Sequence, residues 1–373
     1  MRADLAIAGA GPVGLATAIL AAERGLSSIV LETRTPPLDK ACGEGLMPKG
    51  VAMLRRLGVD LPPGSGRAFA GIRYVDGDTV AEGRFAGGEG LGLRRTVLSE
   101  ALLARTRDVG AELRFGTRVL RWRTSWDGDV RIETSGGVVT ARLLVGADGL
   151  RSRVRRAAGL EARWRLGRSR FGVRRHFRVA PWSRFVEVHW ADGIEAYVTP
   201  VADDEVGVAL LWHGESAPFE ALLSRVPTLA SRLHGVSPSS APRGAGPFRQ
   251  RVSGRTAHGV ALVGDAAGYL DPLTGEGVTL GFRCAEALVD VVAREADLAE
   301  YERAYRRLSA SYYRMTRLLL AVAALPPLRR RVVAMLARHP DLFDHLLAVN
   351  AGQAPLHAMG VGGALRLVGG LLA

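Results

Sequence analysis

Cysteine and lysine are almost missing from this chain of 373 residues. Cys42 and Cys284 are its only cysteines. They are too few for a disulfide framework and lack the C-x-x-C spacing of a zinc site, so no structural metal is expected and a reducing, cytoplasmic setting is. Long apolar runs are lacking as well. The longest, Leu318 to Leu328, is interrupted by Pro326 and Pro327 and falls far short of the roughly 20 residues that span a bilayer. The first apolar stretch, Leu5 to Ala8, runs straight into glycines and reads as a strand, not as the core of a signal peptide. Lys40 and Lys49 are the only lysines, so 48 of the 50 basic residues are arginine, and against 37 acidic residues they leave a formal charge of +13. A charge of that size would suit nucleic acid or an anionic membrane. No nucleic-acid-binding motif accompanies it, and we exclude that partner. With 47% hydrophobic and 23% charged residues the composition is that of a folded globular protein. The length fits two domains or one interleaved pair.

What is present is glycine in patterned places. Leu5 to Ala8 leads into Gly9-Ala10-Gly11-Pro12-Val13-Gly14, then Leu15 to Arg24 at helical spacing, Gly25 as a stop, and a second strand, Ser28 to Leu31. This is a βαβ unit opening with G-x-G-x-x-G. Gly9 makes the tight turn, Gly11 lets the backbone approach a pyrophosphate, and Gly14 lets helix and strand pack closely. The helix N-terminus offers unpaired N–H groups to that anion. Glu32 ends the second strand, where a carboxylate can accept hydrogen bonds from a ribose.

Two further sites have the same character. An apolar strand, Leu143 to Val145, ends in Gly146-Ala147-Asp148-Gly149, with a helix starting near Ser152. A second, Val260 to Val263, ends in Gly264-Asp265-Ala266-Ala267-Gly268 and leads to Asp271-Pro272-Leu273-Thr274-Gly275-Glu276-Gly277. An acid at a strand end can accept hydrogen bonds from a polyol chain, and helices beginning after glycines suit an anionic ligand. Between these sites the text alternates. Gly71 to Val75, Thr79 to Phe85, Val130 to Thr134 and Arg163 to Leu211 read as strands, as does Glu112 to Arg123 after a helix from about Thr96 to Gly110. From Glu286 onward the pattern is helical. The expected architecture is α/β: a Rossmann-like nucleotide domain of residues 1–66, 94–160 and 255–300, an interleaved and mostly antiparallel substrate domain of 67–93 and 161–254, and a C-terminal helical segment, 301–373.

The ordered motifs GAGPVG at 9–14, GADGLRSRVR at 146–155 and GDAAGYLDPLTGEG at 264–277 resemble those of the flavoprotein superfamily that contains para-hydroxybenzoate hydroxylase, the aromatic hydroxylases, flavin-dependent halogenases and geranylgeranyl reductases. The resemblance spans essentially residues 1–325 and implies a glutathione-reductase-type FAD fold. By it, Gly9, Gly11, Pro12 and Gly14 hold the FAD pyrophosphate and Glu32 the adenosine ribose, with Arg34 in a Glu-x-Arg arrangement beside it. Arg95, opening a helix as Arg-x-x-Leu, reaches the pyrophosphate, and Val119 is counted among the cofactor contacts. Gly264 and Asp265 serve the ribityl chain, and Asp148 supports the cofactor or couples its site to the pyridine nucleotide. Pro272, Gly275 and Gly277 present backbone to the flavin.

The subgroup is set by smaller features. Lys40-Ala41-Cys42-Gly43-Glu44-Gly45-Leu46-Met47-Pro48 resembles a stretch of the geranylgeranyl reductases in which the cysteine lies near the flavin, which makes Cys42 the one catalytic candidate. The reductases' aromatic strand motif is poorly matched by Glu195-Ala196-Tyr197-Val198-Thr199-Pro200. From that segment we take Tyr197, Thr199 and Pro200 as substrate-side candidates. The halogenases' Trp-x-Trp-x-Ile-Pro signature is missing. The rest of the chain is most similar to flavoprotein hydroxylases of phenolic-lipid pathways. That likeness implies a single-component monooxygenase: NAD(P)H reduces FAD, molecular oxygen adds at C4a, and the hydroperoxide passes its distal oxygen to a hydrophobic aromatic ring. The alternatives are a geranylgeranyl-reductase-like enzyme that reduces prenyl double bonds and a flavin-binding membrane-surface protein without turnover. None of the eight histidines lies in a recognisable motif, so no substrate-activating base is named. Arg314, Arg317 and Arg329-Arg330-Arg331 flank Leu318 to Leu325, a pattern that suits peripheral membrane contact by the C-terminal helices and equally a helix packed with its arginine stems over apolar neighbours.

Overall fold

Leu5, Ala6 and Ile7 have no exposed surface, and a strand buried on both faces belongs inside a parallel sheet with helices above and below. The computed structural model, which describes residues 2–126, 128–162, 170–215, 217–355 and 358, has that arrangement. Five parallel strands run in the order Glu112–Arg114, Ser28–Leu31, Arg2–Ala8, Gly137–Gly146 and Val260–Leu262. Thr256–Ala257 and the pair Val119–Thr124 and Val130–Thr134 extend the sheet antiparallel. Helices Pro12–Glu23 and Gly277–Ala293 pack together against it, with Arg95–Asp108 beside the first. After Arg2–Ala8 the chain turns to Ser28–Leu31 on one side, and the sheet continues to Gly137–Gly146 on the other. That reversal opens a crevice at the carboxyl ends of the strands. The three glycine motifs follow three adjacent strands, and so they lie side by side at its rim.

A seven-stranded sheet stands apart from the first. Its order is Arg243–Ala245, Arg170–Arg178, Glu205–His213, Ile194–Ala202, Phe185–Ala191, Gly71–Asp76 and Thr79–Arg84. All its pairings are antiparallel except Phe185–Ala191 with Gly71–Asp76. A small sheet of Gly45–Leu46, Gly90–Leu93 and Gly66–Phe69 joins the two.

Several expectations change in detail. Glu112 to Arg123 is two strands, because Gly116 turns through a left-handed φ of +66°. The 67–93 stretch is divided between the small sheet and the seven-stranded one. Of the alternation from Arg163, residues 163–169 lie outside the described residues, as does the tail from Ala364 to Ala373. Pro326 and Pro327 break the apolar run, as their chemistry requires, where helix Leu298–Ala323 has already ended. They open the next one, Pro326–Arg338, at the positions where a missing N–H costs nothing. In the arginine cluster Arg330 and Arg331 are exposed and Arg329 is not. Arg329 is buried and donates from Nε to Asp76 Oδ2 at 2.8 Å. That pair fastens the helix to the seven-stranded sheet, where helix Pro340–Asn350 also packs, with Phe343 seated over Gly83. Among the described residues no helix is long and apolar enough to cross a membrane.

Candidate active site

The crevice begins where side chains cannot fit. A Cβ on Gly9, whose φ is +112°, would lie 2.6 Å from the Ala147 carbonyl oxygen, and one on Gly14 would lie 2.0 Å from that of Gly9. Gly11 differs: a Cβ there would meet nothing within 4 Å, so its bareness serves whatever enters the crevice. The helix opened by Pro12 has no side-chain cap, leaving its first N–H groups for an anion. Arg95 lines the same space. It is 9% exposed, and among the described residues its Nε has no hydrogen-bond partner. A buried guanidinium of that kind fits a pyrophosphate.

Glu32 is buried and accepts the Ala10 N–H at 2.9 Å on one carboxylate oxygen and the Arg34 N–H at 3.0 Å on the other. It holds the turn in shape and lines the cavity. The Arg34 guanidinium is half exposed and donates to the Asp39 carbonyl at 3.1 Å. Val119 lines the same cavity.

Asp148 has another occupation. Its carboxylate accepts the Ser152 hydroxyl, the Arg153 N–H at 2.7 Å and the Val154 N–H at 3.1 Å. It takes the first N–H groups of the helix Arg153–Ala157, whose N-cap is Ser152; both of its oxygens are engaged there, and it also lines the cavity. Asp265 faces the cavity from the turn Gly264–Ala267 and pairs with Lys40 Nζ at 3.0 Å. Lys40 was not singled out from the sequence, although one of two lysines in an arginine-rich chain is itself a signal. Beyond it Cys42 is a free, half-buried thiol that lines the cavity, its Sγ accepting the Glu44 N–H at 3.4 Å. Pro272, Gly275 and Gly277 line it as well. Gly275 adopts φ +68°, and a Cβ there would lie 2.7 Å from the Met47 methyl.

The crevice continues into an apolar chamber, the two together enclosing about 1760 Å³. Tyr74, Phe85, Val188, Tyr197, Leu336 and Phe343 are among its walls. Thr199 is at the wall too, with its hydroxyl donating to the Gly43 carbonyl at 2.7 Å. Pro200 is not among the lining residues. Its carbonyl is pressed against Gly92, where a Cβ would come within 1.7 Å of that oxygen.

Two buried polar clusters adjoin the cavity and were not legible beforehand. In one, Glu44 accepts the Arg95 N–H at 2.7 Å and contacts His176 Nε2 at 2.5 Å, while Arg174 Nη1 lies 3.2 Å from the other ring nitrogen. In the other, Arg170 bridges Glu195 and Asp271, at 2.9 Å to Asp271 Oδ1, and the Tyr197 hydroxyl donates to Glu195 Oε2 at 3.1 Å. Burial pushes the Asp271 carboxyl up to about 7; Arg170 opposes this and Glu195 adds to it. Burial likewise raises Glu276, at the cavity wall, to about 7. Among the described residues no group of acids, histidines and cysteines could hold a metal ion.

The chain is 27% identical to a menaquinone reductase of Mycolicibacterium smegmatis, covering 84% of this chain and 81% of the relative. It is 31% identical to the ubiquinone hydroxylase UbiL of Rhodospirillum rubrum, over 80% of this chain and 77% of that one. In fold it matches a flavoprotein/dehydrogenase of Cytophaga hutchinsonii with a TM-score of 0.81 at 16% identity, covering 100% of this chain and 97% of that one. Residues 2–210 match the family model described as FAD binding domain; with more than half of its length matched, the chain belongs to this family of FAD-dependent oxidoreductases.

Proposed function

We propose that this oxidoreductase hydroxylates a hydrophobic aromatic compound, using NAD(P)H and molecular oxygen. The observation that carries the reading is the apolar, aromatic-walled chamber continuous with the FAD crevice. Its walls exclude water and would hold a ring with a long apolar substituent. FAD, when bound, supplies the two-electron chemistry and the activation of oxygen. The chain's own part is positional. Gly11, the N-terminus of helix Pro12–Glu23 and Arg95 would hold the pyrophosphate, and Glu32 the ribose. Asp265 would serve the ribityl hydroxyls once Lys40 yields or shares it, and the N-terminus at Gly277 would face the flavin ring. Asp148 acts at one remove, by fixing the helix that follows it.

The relatives named for menaquinone and ubiquinone support a lipophilic substrate. A second reading, reduction of a prenyl double bond, is favoured by Cys42, whose loop lines the cavity beside Asp265. Oxygen uptake separates the two. Hydroxylation consumes oxygen in step with NAD(P)H when substrate is present, whereas double-bond reduction proceeds without it. We also propose that the chamber loads at an anionic lipid surface. Leu318, on the cavity wall, is 58% exposed, and Leu325, in the turn between helices Leu298–Ala323 and Pro326–Arg338, is 55% exposed, with Arg314 and Arg317 nearby in sequence.

A further inference from the structure

The crevice and chamber together enclose about 1760 Å³. One small-molecule site takes about 300–1,000 Å³, so there is room for the cofactor and a second molecule of similar size. The strand pairing shows which way that second molecule runs. Tyr197 lies opposite Val188, Val188 opposite Tyr74, and Tyr74 opposite Ala81. Directly paired residues share a face of the sheet, so these four form one row across the strands Ile194–Ala202, Phe185–Ala191, Gly71–Asp76 and Thr79–Arg84. Beside it runs a second row, Val186, Ile72 and Gly83. The first row begins at the cofactor crevice, where the Tyr197 hydroxyl lies 3.5 Å from the Leu273 carbonyl in the Pro272–Thr274 turn. Both rows end on Thr79–Arg84, the edge strand of the sheet.

The side chains shrink toward that edge. Val188, Tyr74, Val186 and Ile72 line the cavity, whereas Ala81 and Gly83 are not among the lining residues. Their small size leaves a recess in the floor, and the ring of Phe343, from helix Pro340–Asn350, fills it. A Cβ on Gly83 would lie 2.7 Å from Phe343 Cγ. The ring is 2% exposed, tilts against Tyr74 at a centroid distance of 4.8 Å, and is itself part of the cavity wall. Its neighbour pins it there: Asp344 accepts the Arg84 N–H at 2.6 Å. The chamber floor thus crosses the sheet from the cofactor end and meets Phe343 at the edge strand.

We infer that Phe343 is the specificity-determining residue for the length of the substrate's apolar tail, which lies across the strands and ends against its ring. Three strand steps of about 4.8 Å separate Ile194–Ala202 from Thr79–Arg84, a span of about 14 Å. An extended chain advances about 1.2 Å per bond and crosses that span in about a dozen carbons. Gly83 and Phe343 set the limit together, since the missing side chain on one gives the ring of the other its seat. The inference rests on the reading of the chamber as the seat of a ring with an apolar substituent, and it names what stops that substituent.

The test measures equilibrium binding of 4-alkylphenols with propyl, nonyl, dodecyl, pentadecyl and octadecyl tails to the FAD-loaded protein, followed by flavin absorbance. In wild type each methylene taken into the chamber should tighten binding by up to about fourfold, and the gain should stop near the dodecyl tail. Phe343→Ala opens the recess: the gain should continue to pentadecylphenol, bound about tenfold or more tightly than by wild type. Gly83→Ala drives the ring into the chamber and should weaken dodecylphenol by about tenfold. Propylphenol is too short to reach Phe343. It should bind both variants within about twofold of wild type, which also shows that they fold and hold FAD. Phe343→Leu should move the limit in the same direction as the alanine variant by a smaller step, and it decides the matter if Phe343→Ala does not fold. An unchanged limit in the Phe343 and Gly83 variants overturns the inference. Equal weakening of every tail, propyl included, marks a merely structural role and overturns it as well. A wild-type gain that runs on through octadecyl shows a tail leaving by an open mouth, and it overturns the inference while the aromatic reading stands. Binding of no phenol, propyl included, removes both.

Discussion

Glu44 accepts the backbone N–H of Arg95 at 2.7 Å on one carboxylate oxygen and meets His176 Nε2 at 2.5 Å with the other. A single buried acid thus ties the Cys42 loop, the helix carrying Arg95 and the seven-stranded sheet into one wall of the cofactor crevice. It holds the Arg95 backbone while the side chain lines the cavity. Arg95→Ala should weaken FAD binding about ten- to a hundredfold, the range of a lost charge-assisted contact, as read by flavin fluorescence titration. Glu44→Ala should lower stability by about 1–3 kcal/mol, since His176 and the Arg95 N–H lose a buried partner, measured by urea unfolding.

The fingerprint glycines should separate folding from binding. Gly14→Ala drives a Cβ to 2.0 Å from the Gly9 carbonyl oxygen and should cost at least about 2 kcal/mol. Gly11→Ala meets nothing in the protein and should keep stability within about 1 kcal/mol while losing tenfold or more in FAD affinity. Paired denaturation and flavin titrations on the two variants check this.

Glu276 makes stability depend on pH in a definite direction. Burial raises its carboxyl from 4.5 to about 7, against the opposing influence of Thr279, Lys49 and Arg283. Between those values the folded state holds a proton that the unfolded chain has released, so this group's contribution is most favourable below about 4.5 and is lost as pH rises to about 7. Glu276→Gln removes that dependence. Its stability relative to wild type should grow by on the order of 2 kcal/mol from about pH 4.5 to about pH 7.5, followed by urea midpoints across the range.

Lipid contact should be electrostatic and local. Flotation with anionic vesicles at low salt should carry the protein upward, and high salt should release it. Leu318→Glu, at an exposed position, should weaken the association. Absence of flotation at low salt would end the loading proposal.

How much of this was legible in the sequence depends on how local each signal is. Gly9, Gly11 and Gly14 could be read because their spacing is fixed within one βαβ unit, although the carbonyl that forbids a side chain at Gly9 belongs to Ala147, at the end of another strand. The second engagement of Asp148 was not legible, because an acid at a strand end serves a ligand or the next helix equally well, and only coordinates show Ser152, Arg153 and Val154 binding it at the cavity wall. Tyr197, Thr199 and Pro200 could not all face one cavity: alternate strand residues point to opposite faces. The same period makes Glu195, not Pro200, the companion of Tyr197. Arg170, Glu195 and Asp271 come from separate stretches of chain, and no local pattern announces such a meeting.

The proposed reaction of this FAD-dependent oxidoreductase is insertion of oxygen into a hydrophobic aromatic ring. Its most direct test is the product mass from purified yellow protein with NADPH and a panel of phenolic lipids, with and without oxygen. The account predicts a product heavier by about 16 mass units, the mass of one inserted oxygen atom, formed only when oxygen is present. A product that gains two hydrogens under anaerobic conditions would contradict it.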